Sequence, residues 1–250
     1  MSLALFLTLL GLSGLALGLV LSRPFLLGLG AGAYLLAAFL EALRQGPLVA
    51  PAQMALFLGG LLVMRAESLL NRPRFASLWR YLVLTGLVLG LFALRVLPHP
   101  TGSLPLGLTL LHAGSFLLAY LALTVGVGAG VLAALQDRRL KEDPARALLA
   151  PPFWSLKRLA RGYLGPGYLA LTLGLGSGMA WAWGYFGSPI SLDPKELGTL
   201  LAWVFFSLYL VLEGRLSPRG ALAFLLLGYG FLLFALLLAP LLGSRHPSAL

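Results

Sequence analysis

Apolar residues fall in long unbroken runs along the chain, and the polar residues between them gather in short clusters rich in Arg, Pro and Ser. A helix crosses a hydrocarbon core about 30 Å thick with roughly 20 apolar residues. On that scale the pattern predicts eight spans, at 2–22, 25–42, 47–64, 78–97, 105–135, 164–184, 197–213 and 220–242. Leu, Ala and Gly run on inside them without alternating with polar residues, so backbone groups must be satisfied within helices and not in a barrel. The expected fold class is all-α, a polytopic membrane protein with about eight transmembrane helices. The fifth run, from Pro105 to Leu135, is about 31 residues and would reach about 46 Å, so it must tilt or project beyond the bilayer.

The longest connection, the basic segment from Gln136 to Tyr163, is too short for a separate soluble domain, so residues 1–250 read as a single transmembrane helical domain. The opening run "MSLALFLTLLGLSGLALGLVLSR" has its first charge, Arg23, after the apolar stretch. It is expected to stay as the first helix, since a leader carries its positive residues ahead of the apolar stretch. Glycines at close spacing (Gly11, Gly14 and Gly18; Gly28, Gly30 and Gly32; Gly126, Gly128 and Gly130) suit close helix contacts in lipid. No strand precedes them, as a dinucleotide-binding turn would require.

Composition turns this pattern into a firm class: 59% of the residues are hydrophobic and only 10% charged, with a mean hydropathy of +0.93. The net charge of +10 would point to nucleic acid in a soluble protein, but in a membrane protein it reports orientation. No nucleic-acid partner is expected; the lipid bilayer is. With eight spans, 14 of the 18 Lys and Arg residues fall on one side. That side is expected in the cytoplasm, with both termini outside and the protein in the cytoplasmic (inner) membrane.

The chain has no cysteine, which excludes a thiol–disulfide carrier, a cysteine-held iron–sulfur cluster and covalent haem attachment. Metal chemistry would have to use His99, His112 or His246. All three are expected on the outer half, His112 about two turns into the fifth helix. The segment "WAWGYFGSPISLDPKE", Trp181 to Glu196, shares that side as an external aromatic loop at about 181–194. Two readings of it stand together. Trp181, Trp183 and Tyr185 suit an interfacial aromatic belt, and Asp193-Pro194 suits the cap of the next helix. The same aromatic faces and histidines also suit a flat, apolar, metal-bearing ligand, non-covalent haem b, whose propionates could meet Arg44, Arg95, Lys195 and Arg245. Snorkelling at the interface is the other reading of those four cations, and an interfacial or capping role that of His99.

"LTLGLGSGMAWAWGYFGSPISLDPKELGTLLAWVFFSLYL", Leu171 to Leu210, resembles the tryptophan-rich segment of the cytochrome c assembly family of CcsA and CcmC type, and of related HemX-like membrane proteins. "LHAGSFLLAYLAL" and "APLLGSRHPS" resemble that family's histidine-bearing helix and closing segment. The resemblance implies His112 and His246 as axial ligands of the haem iron, with Trp181, Trp183, Tyr185 and Asp193 in the binding segment. It is strongest over 164–213 and continues over 105–141. Where CcsA-type proteins have W-x-W before D-P, this chain has Pro189-Ile190-Ser191-Leu192, and where they have histidine after Y-L it has Val211. Those departures point to the HemX-like branch.

The expected function is haem transfer or delivery at the outer membrane face, with another cytochrome c assembly membrane protein as partner. No catalytic constellation is present, so the protein is not expected to be an enzyme. A second expectation is a HemX-like regulator acting on glutamyl-tRNA reductase, docked through "QDRRLKEDPARALLAPPFWSLKRLAR"; the same segment also reads as a basic loop facing lipid headgroups. A third is an unrelated small-molecule transporter, though Glu41, Glu213 and Arg95 lie near helix ends and not in mid-membrane.

Overall fold

A computed structural model describes residues 3–45, 51–70, 72, 75–96, 106–142, 152–190 and 192–242 of the chain. All the regular structure among them is helical: α1 (Leu3–Leu21), α2 (Pro24–Gln45), α3 (Pro51–Leu70), α4 (Ala76–Val96), α5 (Leu106–Glu142), α6 (Phe153–Phe186), α7 (Pro194–Leu212) and α8 (Pro218–Leu233). A π turn over Phe234–Leu238 and a 3₁₀ turn over Ala239–Leu242 continue α8. Seven of these helices are long and apolar enough to cross a membrane. The eighth, α6, has 34 residues and no charge after Arg161. Its glycines at 165, 167, 174, 176, 178 and 184 dilute its apolar character.

The chain forms two compact units, residues 1–113 and 114–249. In the first, α1 to α4 pack in sequence order and α1 also contacts α4, which closes a four-helix bundle. Lipid supplies no hydrophobic drive between helices, so close backbone approach and dispersion must hold such a bundle. The α1–α2 pair shows how: a Cβ at Gly14 would lie 3.2 Å from the Leu26 carbonyl oxygen and 3.3 Å from the Gly30 Cα. Ser22 turns the chain between them in the left-handed region, φ 52°, and Arg23 N–H donates to the Gly18 carbonyl at 3.2 Å.

The second unit repeats the device. A Cβ at Gly126 of α5 would lie 3.1 Å from the Leu164 nitrogen of α6, and Gly167 of α6 meets Leu123 of α5. The two helices are therefore antiparallel. Polar bonds tie α5 to α8: Tyr120 Oη donates to the Leu232 carbonyl at 3.1 Å, and the Thr124 and Tyr229 hydroxyls lie 3.0 Å apart. Phe205 of α7 stacks on Phe231 of α8, with centroids 5.6 Å apart.

Two expectations need correction. The connection expected over Gln136–Tyr163 is largely helix, because α5 runs unbroken for 37 residues, about 55 Å, and α6 already begins at Phe153. Arg138 pairs with Glu142 and Lys141 with Asp137, both at 2.7 Å and four residues apart, the spacing that supports a helix beyond the apolar run. The aromatic loop expected over 181–194 is shorter than that, since α6 extends to Phe186. Trp181, Trp183 and Tyr185 belong to its last turns, and the chain leaves the helix only at Gly187. No Pro or charge interrupts α6 between Gly167 and Phe186, so the helix has no reason to stop sooner.

Candidate functional site

At the end of α6, Trp181 is 7% exposed and Trp183 is 64% exposed. Residues two apart on a helix differ by about 200° in direction, so one indole packs inward while the other faces away from the unit. Gly187 then ends the helix in the left-handed region at φ 68°, and its N–H donates to the Trp183 carbonyl at 3.0 Å. This is the cap for which glycine is favoured, since a Cβ is strained there. Ser188 Oγ donates to the Ile190 carbonyl at 2.8 Å.

Leu192 is also left-handed, φ 57°, an uncommon conformation for a bulky residue. It delivers Asp193 to the start of α7. Asp193 is the N-cap: its Oδ1 accepts from the Lys195 N–H at 2.9 Å and its carbonyl from the Leu197 N–H at 3.0 Å. Pro194 takes the first helical position and Glu196 sits in the first turn, where a negative charge complements the helix dipole. The capping expected from the D-P-K-E order is therefore present. Asp193 is 4% exposed, and Lys195 starts the same helix, so the two are brought together.

The remaining expected site residues lie on other elements. His112 lies on α5, half-buried, one turn before Phe116 on the same helix face. Phe116 meets Gly174 of α6, where a Cβ would lie 3.1 Å from its ring. Arg44 lies in the last turn of α2 with its guanidinium 3.6 Å from the Glu41 carboxylate; Glu41 is almost wholly buried and Arg44 exposed. Arg95 is exposed in the last turn of α4. His99, Arg245 and His246 lie outside the described residues, and so does the side chain of Tyr185.

One polar track was not foreseen. Trp203 Nε1 donates to Thr172 Oγ1 at 3.0 Å, the Trp203 ring stacks on Tyr168 with centroids 6.0 Å apart, and the Tyr168 and Ser207 hydroxyls lie 2.8 Å apart. It clamps α6 to α7 inside the apolar stretch. Its sequence signal is a pair of four-residue spacings in otherwise apolar helices, Tyr168 to Thr172 and Trp203 to Ser207.

Comparison with known proteins gives this arrangement its context. The family model described as "Cytochrome C assembly protein" matches residues 107–245, more than half of the chain. Curated relatives named cytochrome c biogenesis protein CcsA are similar over shorter stretches. The one from Cuscuta exaltata is 35% identical over 81 residues, 32% of this chain and 25% of the relative. That from Heterosigma akashiwo is 36% identical over 91 residues, 36% of this chain and 27% of the relative. That from Cycas taitungensis is 41% identical over 58 residues, 23% and 16% of the two chains. The chain thus spans about a quarter of the length of the first relatives it matches. No solved structure matches. The family match takes in nearly all of α5, α6 to α8, the capped Gly187–Asp193 connection and the segment around His112, and ends one residue before His246; the chain belongs to the cytochrome c assembly protein family.

Proposed function

We propose that the chain serves cytochrome c assembly by binding haem b without covalent attachment and handing it on at the outer face of the cytoplasmic membrane. The observation that carries this reading is the outward indole of Trp183, 64% exposed, at a helix end fixed by the Gly187 cap, inside the stretch matched by the family. The family's second tryptophan pair is missing before Asp193-Pro194. Ile190 and Leu192 stand at those two positions, 41% and 70% exposed, so the connection still presents apolar surface. A flat porphyrin is held by such faces through ring contact and area.

The residues available fit such a ligand. His112 offers a half-buried imidazole on α5, and His246 is the second ligand in this reading. Haem would supply an iron centre that takes imidazole nitrogens, and His112 and His246 would hold it. Arg95, exposed at the end of α4, and Arg245 are propionate candidates in this reading. Arg44 is drawn toward Glu41, which reduces its part. Asp193 is committed first to capping α7 through the Lys195 N–H, so its role is to position the connection, while the Lys195 side chain stays a propionate candidate. No bond is made or broken by the chain in this proposal; it binds, orients and releases, with a second assembly protein in the membrane as the acceptor.

The test is reconstitution of the purified full-length protein with haem, for the wild type and four variants. His112→Ala and His246→Ala should each change the coordination seen in the visible spectrum, the double variant should lose tight binding, and His99→Ala should match the wild type. Loss of haem in His99→Ala with unchanged spectra in the other two would reject the ligand assignment.

A further inference from the structure

The two basic segments that meet at the α5–α6 end differ in how their charges are used. α5 and α6 are antiparallel, and a Cβ at Gly130 would lie 4.0 Å from the Ala160 Cβ, so the end of α5 and the start of α6 lie at the same end of the pair. At the end of α5, Arg138 and Lys141 are neutralised by Glu142 and Asp137. On α6 there is no Asp or Glu at all. Arg161 reaches Glu213 at 3.2 Å, while Lys157 and Arg158 have no ion pair among the described residues. Lys157 Nζ instead lies 5.8 Å from the centroid of Phe153 and 5.7 Å from that of Trp154, and Trp154 is 70% exposed.

Length sets the depth of this group. The uncharged part of α6, from Gly162 to Phe186, is about 37 Å long, enough for the roughly 30 Å core. With the cytoplasmic edge of the core at Gly162, Lys157 and Arg158 fall about 6–8 Å beyond it, inside a headgroup layer roughly 5–8 Å thick. An exposed indole with an ammonium against its face suits that layer, where one part is apolar and the other wet. The side is the one that the Lys and Arg asymmetry assigns to the cytoplasm.

We propose that Trp154, Lys157 and Arg158 at the start of α6 form a binding surface for the anionic headgroups of phospholipids in the cytoplasmic leaflet. Charge complementarity selects the headgroup, since two cations with no ion pair among the described residues face it, and the indole holds the ammonium at headgroup depth. The paired cations of α5 contribute little, because their charge is already met by the helix itself.

The test is native mass spectrometry of the full-length protein in detergent, with phosphatidylglycerol and phosphatidylcholine of identical acyl chains offered in equal amounts. Each cation near an anionic surface contributes roughly a fivefold gain in affinity. The wild type should retain phosphatidylglycerol over phosphatidylcholine by about fivefold or more, and millimolar inorganic phosphate should not displace it. The variant Lys157→Gln/Arg158→Gln should fall to near parity, and Arg138→Gln/Lys141→Gln should keep the preference. Equal retention of the two lipids by the wild type, which needs no variant, would overturn the proposal. So would an undiminished preference in Lys157→Gln/Arg158→Gln. Either result would leave this surface to a cytosolic protein partner.

Discussion

Trp181 and Trp183 sit two positions apart and do different work. Trp181 is packed into its unit, so Trp181→Ala should cost about 3–5 kcal/mol of stability, seen as a lower midpoint in thermal unfolding. Trp183 faces outward, so Trp183→Ala should leave that midpoint nearly unchanged and weaken haem retention by roughly two- to tenfold. A fall in stability for Trp183→Ala equal to that for Trp181→Ala would contradict the division. Asp193→Ala removes the cap on the Lys195 N–H and should cost about 1 kcal/mol. The Asp193 cap was legible in the sequence because D-P-K-E places an acceptor, a proline and an acid in the order a helix start uses. The split between the two tryptophans was not, because reading them as loop residues hid the helical turn that sends them to opposite faces. The Tyr168–Trp203 stack was hidden for another reason: its partners are far apart in sequence and only packing brings them together.

Among the elements, the helix count was legible from run length alone, since a bilayer imposes a minimum that short core helices do not meet. The ends of α5 and α6 were not, because a charged segment held by four-residue ion pairs looks like a connection to any rule based on apolarity. Those pairs are exposed, so Lys141→Ala should change helix stability by only about 0.3–0.5 kcal/mol, and α5 should stay helical to the same length. The close α1–α2 approach is more demanding. Gly14→Leu has no space against the Leu26 carbonyl and Gly30, and should separate the two helices. The measurement is the unfolding midpoint beside a control at Gly32, where an added Cβ meets nothing within 4 Å. At α8, the helix widens at the π turn, where Ala239 N–H reaches back to the Phe234 carbonyl, one residue before Pro240, which cannot donate in turn. The Tyr120 hydroxyl bond to Leu232 lies beside this turn, and Tyr120→Phe should cost about 1 kcal/mol.

At the scale of the whole molecule, the family match and the second unit coincide closely, 107–245 against 114–249, so the family's signature is carried by α5 to α8. The orientation expected from the Lys and Arg asymmetry can be read directly, because the chain has no cysteine of its own. A membrane-impermeant thiol reagent added to intact cells should label Ser188→Cys and spare Arg139→Cys; the reverse would mean the opposite orientation in the membrane. Placement of the first unit's bundle was legible as four spans, while its function has no signature in the sequence beyond the exposed cations at helix ends. Haem binding underlies the proposed function, and the absorption spectrum of the purified full-length protein reads it out. A Soret band is expected, present on isolation or restored by added haem, with the form of an iron held by two imidazoles. A preparation that stays colourless after haem is added would contradict it.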